Sequence, residues 1–378
     1  MKIGFVIDDT LDKPDGVQQY VLIVGGWLAA QGHEVHYLAG ASKRQDIGNL
    51  HSLAKNVRVT FNGNRLTIPL PANGRRIRQL LEQEQYDILH IQMPYSPMLA
   101  HKIIRLAPKQ TAIFGTFHIL PQTALVRVAT HALGFWTASS LKRFDKIFAV
   151  SPAAKTFVEA AFRVKHVEVL PNVVDMERFR QAQPLKRLTD GPATIMFLGR
   201  LVPRKGCAHF LDALAVLKQQ HPELGFKAVV CGKGELETQL KHQATQLGLA
   251  KQTEFAGFLS EEDKPRYVAS ADVIAFPSTG GESFGIVLTE AMSTARPVVL
   301  AGDNPGYRSV MHEQPELLFR PQDHQLLADK IYAFLSDKAK AKQMVAWQAQ
   351  HVRQFDIEVV GPKLVKAYRQ HLRNKAAA

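Results

Sequence analysis

The chain has 378 residues, 46% of them apolar and 21% charged, with a formal net charge of +13. That length accommodates two domains with separate cores, and the composition is globular rather than disordered. The longest apolar run near the N-terminus, Val21 to Ala30, is too short to span a bilayer, and two cysteines, Cys207 and Cys231, read as buried thiols rather than a disulfide framework.

Strand-like runs alternate with helical patterns along the whole chain, which argues for α/β architecture with parallel sheets. In chain order the expected strands are Ile3–Ile7, Glu34–Leu38, Asp87–Ile91, Ala112–Phe114, Lys146–Val150 and Val167–Leu170. A second set follows at Thr194–Leu198, Lys227–Val230, Thr253–Phe255, Val273–Phe276 and Pro297–Leu300. Helical stretches fall between them, among them Gln18–Gln31, Cys207–Gln220 and Glu235–Leu247. Two successive sets predict two Rossmann-like domains, residues 1–171 and 193–355, joined by a polar stretch from Pro171 to Pro192. The segment from Phe355 to Leu372 reads as a helix interrupted at Gly361-Pro362. Charge is uneven: between Lys55 and Lys155 there are 14 Lys/Arg against 4 Asp/Glu, a surplus of 14 − 4 = +10. A patch of that sign meets something anionic, such as a membrane surface, nucleic acid or an acidic polymer.

Chemistry-bearing motifs follow the strands. Gly115-Thr116-Phe117-His118 ends a strand of the first half, where a histidine ring can donate to a sugar hydroxyl or take up a proton. Gly199-Arg200-Leu201-Val202-Pro203-Arg204-Lys205-Gly206 follows the first strand of the second half. It sets a planar guanidinium and an ammonium in one loop, a clamp suited to a diphosphate. Val230-Cys231-Gly232-Lys233-Gly234-Glu235 brings backbone close to a ligand at the strand ends, although a tight turn has the same spelling. Gly280-Gly281-Glu282-Ser283-Phe284-Gly285-Ile286 then opens a helix that carries Glu290. Unpaired amides at such a helix start hold phosphate, and carboxylates beside them take the hydroxyls of a ribose or a sugar. Read together, these parts form a nucleotide-sugar site.

The spacing Glu282-x7-Glu290 resembles the motif of the retaining family 4 glycosyltransferases, and Gly-Gly-Glu-Ser-Phe-Gly-Ile-Val-Leu resembles the phosphatidylinositol mannosyltransferases in particular. The resemblance spans nearly the whole chain. It implies the GT-B fold: two Rossmann-like domains with parallel sheets facing a cleft, and a C-terminal helix, residues 356–378, crossing back to complete the first. It implies a hexosyltransferase, with mannose moved from GDP-mannose to a membrane lipid of phosphatidylinositol type. The donor would be held by Gly16, Gly199, Arg200, Lys205, Gly232, Glu282, Ser283, Phe284, Gly285, Ile286 and Glu290. The catalytic set would be His118, Arg200, Lys205 and Glu282, with Glu282 on the sugar and Glu290 on the ribose. The glycine loop after the first strand departs from the family at Asp15 and Tyr20. Gln18 matches a residue that touches the lipid headgroup. Thr67-Ile68-Pro69-Leu70-Pro71-Ala72-Asn73-Gly74 resembles the stretch before a basic amphipathic helix that docks on anionic lipid. Here Asn73, Arg75, Arg76 and Arg78 would meet the membrane beside an apolar side of Ile77, Leu80 and Leu81, against the alternative of an ordinary half-buried surface helix.

No Asp-x-Asp pair or His/Cys cluster has ligand spacing, so no metal and no tightly bound cofactor is expected beyond the nucleotide-sugar. The expected place is the cytoplasm, peripheral on the inner face of the plasma membrane. Three other readings are weighed. One is UDP-glucose or UDP-galactose transfer to diacylglycerol or a soluble acceptor. A nucleotide-sugar epimerase lacks acid/base residues around the sugar, and a nucleic-acid-binding protein lacks a recognition module.

Overall fold

The computed structural model describes residues 1–12, 15–61, 64–69, 72–121 and 124–377. The chain divides into two compact units, Met1–Val173 with Ile357–Ala378, and Val174–Asp356.

The first unit is built on a seven-stranded sheet in the order β3-β2-β1-β6-β7-β8-β9. Its strands are β1 (Lys2–Ile7), β2 (Glu34–Gly40), β3 (Leu50–Ala54), β6 (Ile88–Gln92), β7 (Ala112–Phe117), β8 (Lys146–Ala149) and β9 (Glu168–Val169). Every pairing is parallel. Central strands are buried on both faces, as the continuous run Ile3-Gly4-Phe5-Val6-Ile7 demands. Two further strands, β4 (Asn56–Phe61) and β5 (Asn64–Pro69), pair antiparallel as a separate ribbon. Helices α1 (Gly16–Ala30), α2 (Gly74–Glu84), α3 (Leu99–Leu106), α4 (Ala124–Leu141) and α5 (Pro152–Phe162) complete the connections.

The second unit has six parallel strands in the order β12-β11-β10-β13-β14-β15. These are β10 (Ala193–Leu198), β11 (Phe226–Cys231), β12 (Thr253–Gly257), β13 (Val273–Phe276), β14 (Val298–Gly302) and β15 (Leu318–Phe319). Its helices are α6 (Met176–Arg180), α7 (Lys186–Thr189), α8 (Cys207–Gln220), α9 (Glu237–Gln246), α10 (Asp263–Val268), α11 (Ile286–Ser293), α12 (Pro305–Met311), α13 (His324–Ser336) and α14 (Lys338–His351). The order 3-2-1-4-5-6 places a topological switch point between β10 and β13, where loops on either side of the reversal open a crevice. Cys207 and Cys231 are both buried and free.

Helix α15 (Ile357–Ala377) belongs to the first unit. Ile357, Val360, Leu364, Val365 and Tyr368 enter the core that holds Phe5, Val21 and Phe114. The expected interruption at Gly361-Pro362 does not occur: the helix runs through both residues. Proline six places from the start removes one backbone bond but leaves the later turns intact. Gly361 instead serves packing, since a Cβ there would stand 2.7 Å from the Trp27 ring, whose Nε1 donates to Glu358 at 2.8 Å.

Candidate active site

The loops after β10 and β13 are fastened to each other at the switch point of the second unit. The Thr279 amide donates to the Arg204 carbonyl at 2.9 Å, and Ser278 Oγ lies 3.1 Å from the same carbonyl. Gly206 allows the approach: with φ of +75°, any Cβ would lie 2.0 Å from the Pro277 carbonyl oxygen.

Glu282 stands at this junction. Its Oε1 accepts from Arg204 Nη1 at 2.7 Å, Lys205 Nζ at 2.8 Å and Ser278 Oγ at 2.8 Å. Burial alone would raise the carboxyl pKa, but Lys205 and then Arg204 outweigh it and hold the group at about 2. Burial draws the Lys205 ammonium below its ordinary value, while Glu282 pulls it back up. Arg200 is half-buried and close enough to Lys205 to disfavour its charge. The structure therefore brings Lys205 and Glu282 into contact, and the guanidinium on Glu282 is that of Arg204. Sequence reasoning passed over Arg204 and Ser278, although Arg204 sits beside Lys205 in the same basic loop.

Backbone close approach shapes the rest of the crevice. Gly199 donates to the Cys231 carbonyl at 2.9 Å, and Leu201 to the Lys233 carbonyl at 3.0 Å. Gly232 has φ of +141°, and a Cβ there would collide with the Gly199 oxygen at 1.8 Å. Helix α11 starts from Gly285 in the left-handed region, with no side chain capping its first turn. Ile286 and the half-buried Ser283 lie at this start. The Phe284 ring is buried against Phe355, with ring centroids 5.3 Å apart, so only its backbone can serve a ligand. Glu290 is buried on α11 and accepts from Lys264 Nζ at 2.6 Å. Burial raises its pKa, and Lys264 pulls the other way. Lys264, on α10, was not legible as a partner because 26 residues separate the two.

In the first unit His118 follows β7 and is half-buried. Its Nε2 meets Gln92 Oε1 at 2.8 Å, and its ring lies edge-on to Tyr20 at 5.0 Å. Burial lowers its pKa to about 3, with Asn172 pulling it up, so the imidazole is neutral at pH 7. Gly16 opens α1. The buried Gln18 amide donates to the Thr10 carbonyl at 3.2 Å. His90, two residues before Gln92, is a buried tie: its ring nitrogens bond Thr116 Oγ1 at 2.7 Å and the Tyr368 hydroxyl.

Of the expected membrane residues, Arg75, Arg76 and Arg78 are exposed on α2, and Asn73 caps that helix by accepting from the Arg75 amide at 2.9 Å. Leu70 and Pro71 lie outside the described residues. The apolar side of α2 needs correcting. Ile77 and Leu81 are buried in the core with Leu89 and Ile103, and Leu80 packs against it. That stripe is taken by the protein's own interior, and the arginines face outward together with Gln79, Glu82 and Gln83. No described helix is long and apolar enough to cross a membrane.

Folding also collects two groups of potential metal ligands that no sequence spacing revealed, His36, His51 and Glu84, and His209, Asp212 and His324. Neither contains a member of the Glu282 cluster.

Comparison with known proteins agrees with this geometry. Residues 179–350 match the family model "Glycosyl transferases group 1", and residues 14–178 match "Glycosyltransferase Family 4". A phosphatidyl-myo-inositol mannosyltransferase of Mycobacterium tuberculosis (strain ATCC 25618 / H37Rv) is 33% identical over 376 residues, 97% of this chain and 96% of that protein. A GDP-mannose-dependent alpha-(1-6)-phosphatidylinositol monomannoside mannosyltransferase of the same organism is 26% identical, over 91% of this chain and 92% of that one. Among solved structures, a glycosyltransferase from Rickettsia africae ESF-5 superposes with a TM-score of 0.77 at 18% identity, covering 99% of both chains. Anabaena Alr3699/HepE in complex with UDP and glucose gives 0.76 at 20% identity, covering 98% of this chain and 100% of that one. The two parallel sheets, the Glu282 cluster and these relatives lead to one conclusion: the chain belongs to the family 4 glycosyltransferases of GT-B fold, among the phosphatidyl-myo-inositol mannosyltransferases.

Proposed function

We propose that this enzyme transfers mannose from GDP-mannose to a hydroxyl of a phosphatidylinositol-type lipid, with retention of the anomeric configuration. The observation that carries the reading is the junction of Glu282 with Lys205 and Arg204 at a switch point, at the start of a helix with no side-chain cap. The named relatives supply the substrates.

In this reading the donor lies on the second unit. Its diphosphate takes Lys205 and Arg200, competing with Glu282 for the Lys205 ammonium, and extends to the amides at Gly285 and Ile286. Glu282, released in part from Lys205, accepts from the sugar hydroxyls. Glu290 accepts from the ribose while Lys264 keeps it anchored. Gly199 and Gly232 let backbone reach the nucleotide, and Gly16 does the same in the first unit. His118, neutral and with its one N–H held by Gln92, accepts from a sugar hydroxyl at its other ring nitrogen and orients the sugar rather than attacking. The acceptor oxygen bonds to the anomeric carbon on the face from which the diphosphate leaves, and its proton passes to a departing phosphate oxygen. Cations and helix amides stabilise that leaving group. Arg75, Arg76 and Arg78 face anionic lipid, each contributing about 1 kcal/mol near such a surface. The enzyme works peripherally, at the cytoplasmic face of the membrane.

The test is turnover of a panel of GDP- and UDP-sugars with and without lipid vesicles. GDP release from GDP-mannose, stimulated by phosphatidylinositol and lost in Glu282→Ala, is the expected result. Turnover of UDP-glucose with diacylglycerol overturns the substrate assignment. A changed sugar on an intact nucleotide, formed without acceptor, makes the enzyme an epimerase.

A further inference from the structure

Helix α4 is built inside out. Its inward stripe at i, i+4, i+7 and i+11 is Thr130, Gly134, Thr137 and Leu141, all buried. The two threonines satisfy their own hydroxyls by bonding back to the carbonyls of Val126 and Leu133, at 2.7 and 2.8 Å. Gly134 lets the helix press on α5, since a Cβ there would stand 2.6 Å from the Ala161 carbonyl oxygen. The bulky apolar residues point the other way: Val128 is 67% exposed, Phe135 83% and Trp136 74%. Positions 128, 132, 135 and 136 share one face, so these side chains form a continuous ridge. Adjacent exposed aromatics on one helix are not the scattered apolar residues of an ordinary surface.

Beside the ridge lies a groove of about 830 Å³, lined by Phe135, Lys142, Lys146, Arg163, Lys165 and His166. Its acids are already engaged from within: Asp145 is paired with Lys375 at 3.0 Å and has the His371 ring 3.0 Å away, and Glu168 is paired with Lys146 at 2.7 Å. Lys142, Arg163 and Lys165 are exposed and have no acidic partner among the described residues.

From the ridge and groove together we infer that this face of the first unit is a docking surface for an anionic lipid bilayer. Phe135 and Trp136 enter the headgroup and acyl boundary, and Lys142, Arg163 and Lys165 meet lipid phosphates. Trp and Phe beside Lys and Arg are the composition of an interfacial helix. A second copy of the chain fits less well, because a two-fold pair would set the same cations against themselves. The use of this contact, bringing the site to its acceptor, rests on the lipid-acceptor reading; the contact itself does not.

The experiment uses the full chain and vesicles of phosphatidylglycerol with phosphatidylcholine, which contain no phosphatidylinositol. Of the three tryptophans, Trp27 is bonded to Glu358 and Trp347 is stacked on His351, so Trp136 reports. The expected result is a blue shift of emission with shielding from acrylamide, and at least tenfold weaker co-sedimentation of F135S/W136S. Lys142→Glu with Lys165→Glu should weaken binding to anionic vesicles but not to pure phosphatidylcholine. Hydrolysis of GDP-mannose in solution by F135S/W136S should equal that of the parent, which certifies the fold. Undiminished vesicle binding by F135S/W136S overturns the inference, as does a self-association, measured by sedimentation velocity without vesicles, that this double substitution abolishes. Loss of vesicle binding together with no GDP-mannose turnover by the parent leaves the docking surface standing and removes the proposed function. Equal phosphatidylinositol-stimulated turnover by parent and double variant does the reverse.

Discussion

Glu282 is held ionised by its two cations, at about 2, and this has a kinetic consequence. Any acid limb of turnover between pH 4 and 7 must come from another group, so a profile of kcat/KM measured there should be unchanged in shape by Ser278→Ala, which removes only a neutral donor. His90 and His118 of the first unit are equally unavailable. His90 and His118 both lie at about 3 through burial, against an ordinary 6.5, so their ring carbon resonances should not titrate between pH 5 and 8. The sign for stability follows. The unfolded state takes up these protons first, so the stability associated with neutral His90 and His118 is complete above 6.5 and is lost as pH falls toward 3. Urea melts at pH 7 and pH 5 should show the decline, smaller in His118→Gln.

At the scale of elements, glycines decide whether loops can meet. Gly232→Ala would place a methyl 1.8 Å from the Gly199 oxygen in a backbone conformation that disfavours a side chain. It should lower the melting temperature and abolish donor binding by calorimetry, whereas Gly48→Ala, in open space, should change neither. Helix α2 gives a second test. Ile77 is fully buried, so Ile77→Ala should destabilise by about 2–5 kcal/mol in urea unfolding. A residue that merely touched lipid would change vesicle binding and leave unfolding alone. The eleven expected strands all form, with no end shifted by more than three residues and β13 matched at both ends. Strands β3, β4, β5 and β15 were missed. For β4 and β5 a signal existed, because Asn62-Gly63 between two alternating runs is hairpin spelling; β15 is too short to show a period.

For the whole molecule, the C-terminal helix is part of the first unit's core. Five buried side chains at about 1.5–3 kcal/mol each amount to ~10 kcal/mol, comparable with the entire stability of a typical domain. Removing residues 357–378 should therefore leave the first unit insoluble or unfolded, checked by circular dichroism and limited proteolysis of the truncated chain. Tyr368→Phe, which loses only the bond to His90, should be milder, on the order of 1 kcal/mol.

The alternation of strands and helices, the two sheets, the glycine-rich loops and the Glu282-x7-Glu290 spacing were all legible in the sequence, because each is a local pattern with a local physical cause. Tertiary structure decided the partners. That Arg204 and Ser278 close on Glu282, that Lys264 holds Glu290, and that His90 ties β6 to the C-terminal helix depend on residues 4 to 278 positions apart. It also decided which way the apolar stripes face. Ile77 and Leu81 on α2 look amphipathic in sequence and are spent on the core, while the apolar Phe135 and Trp136 on α4 stand in solvent. Periodicity shows that a helix has two faces; only the packed neighbours determine which one is buried.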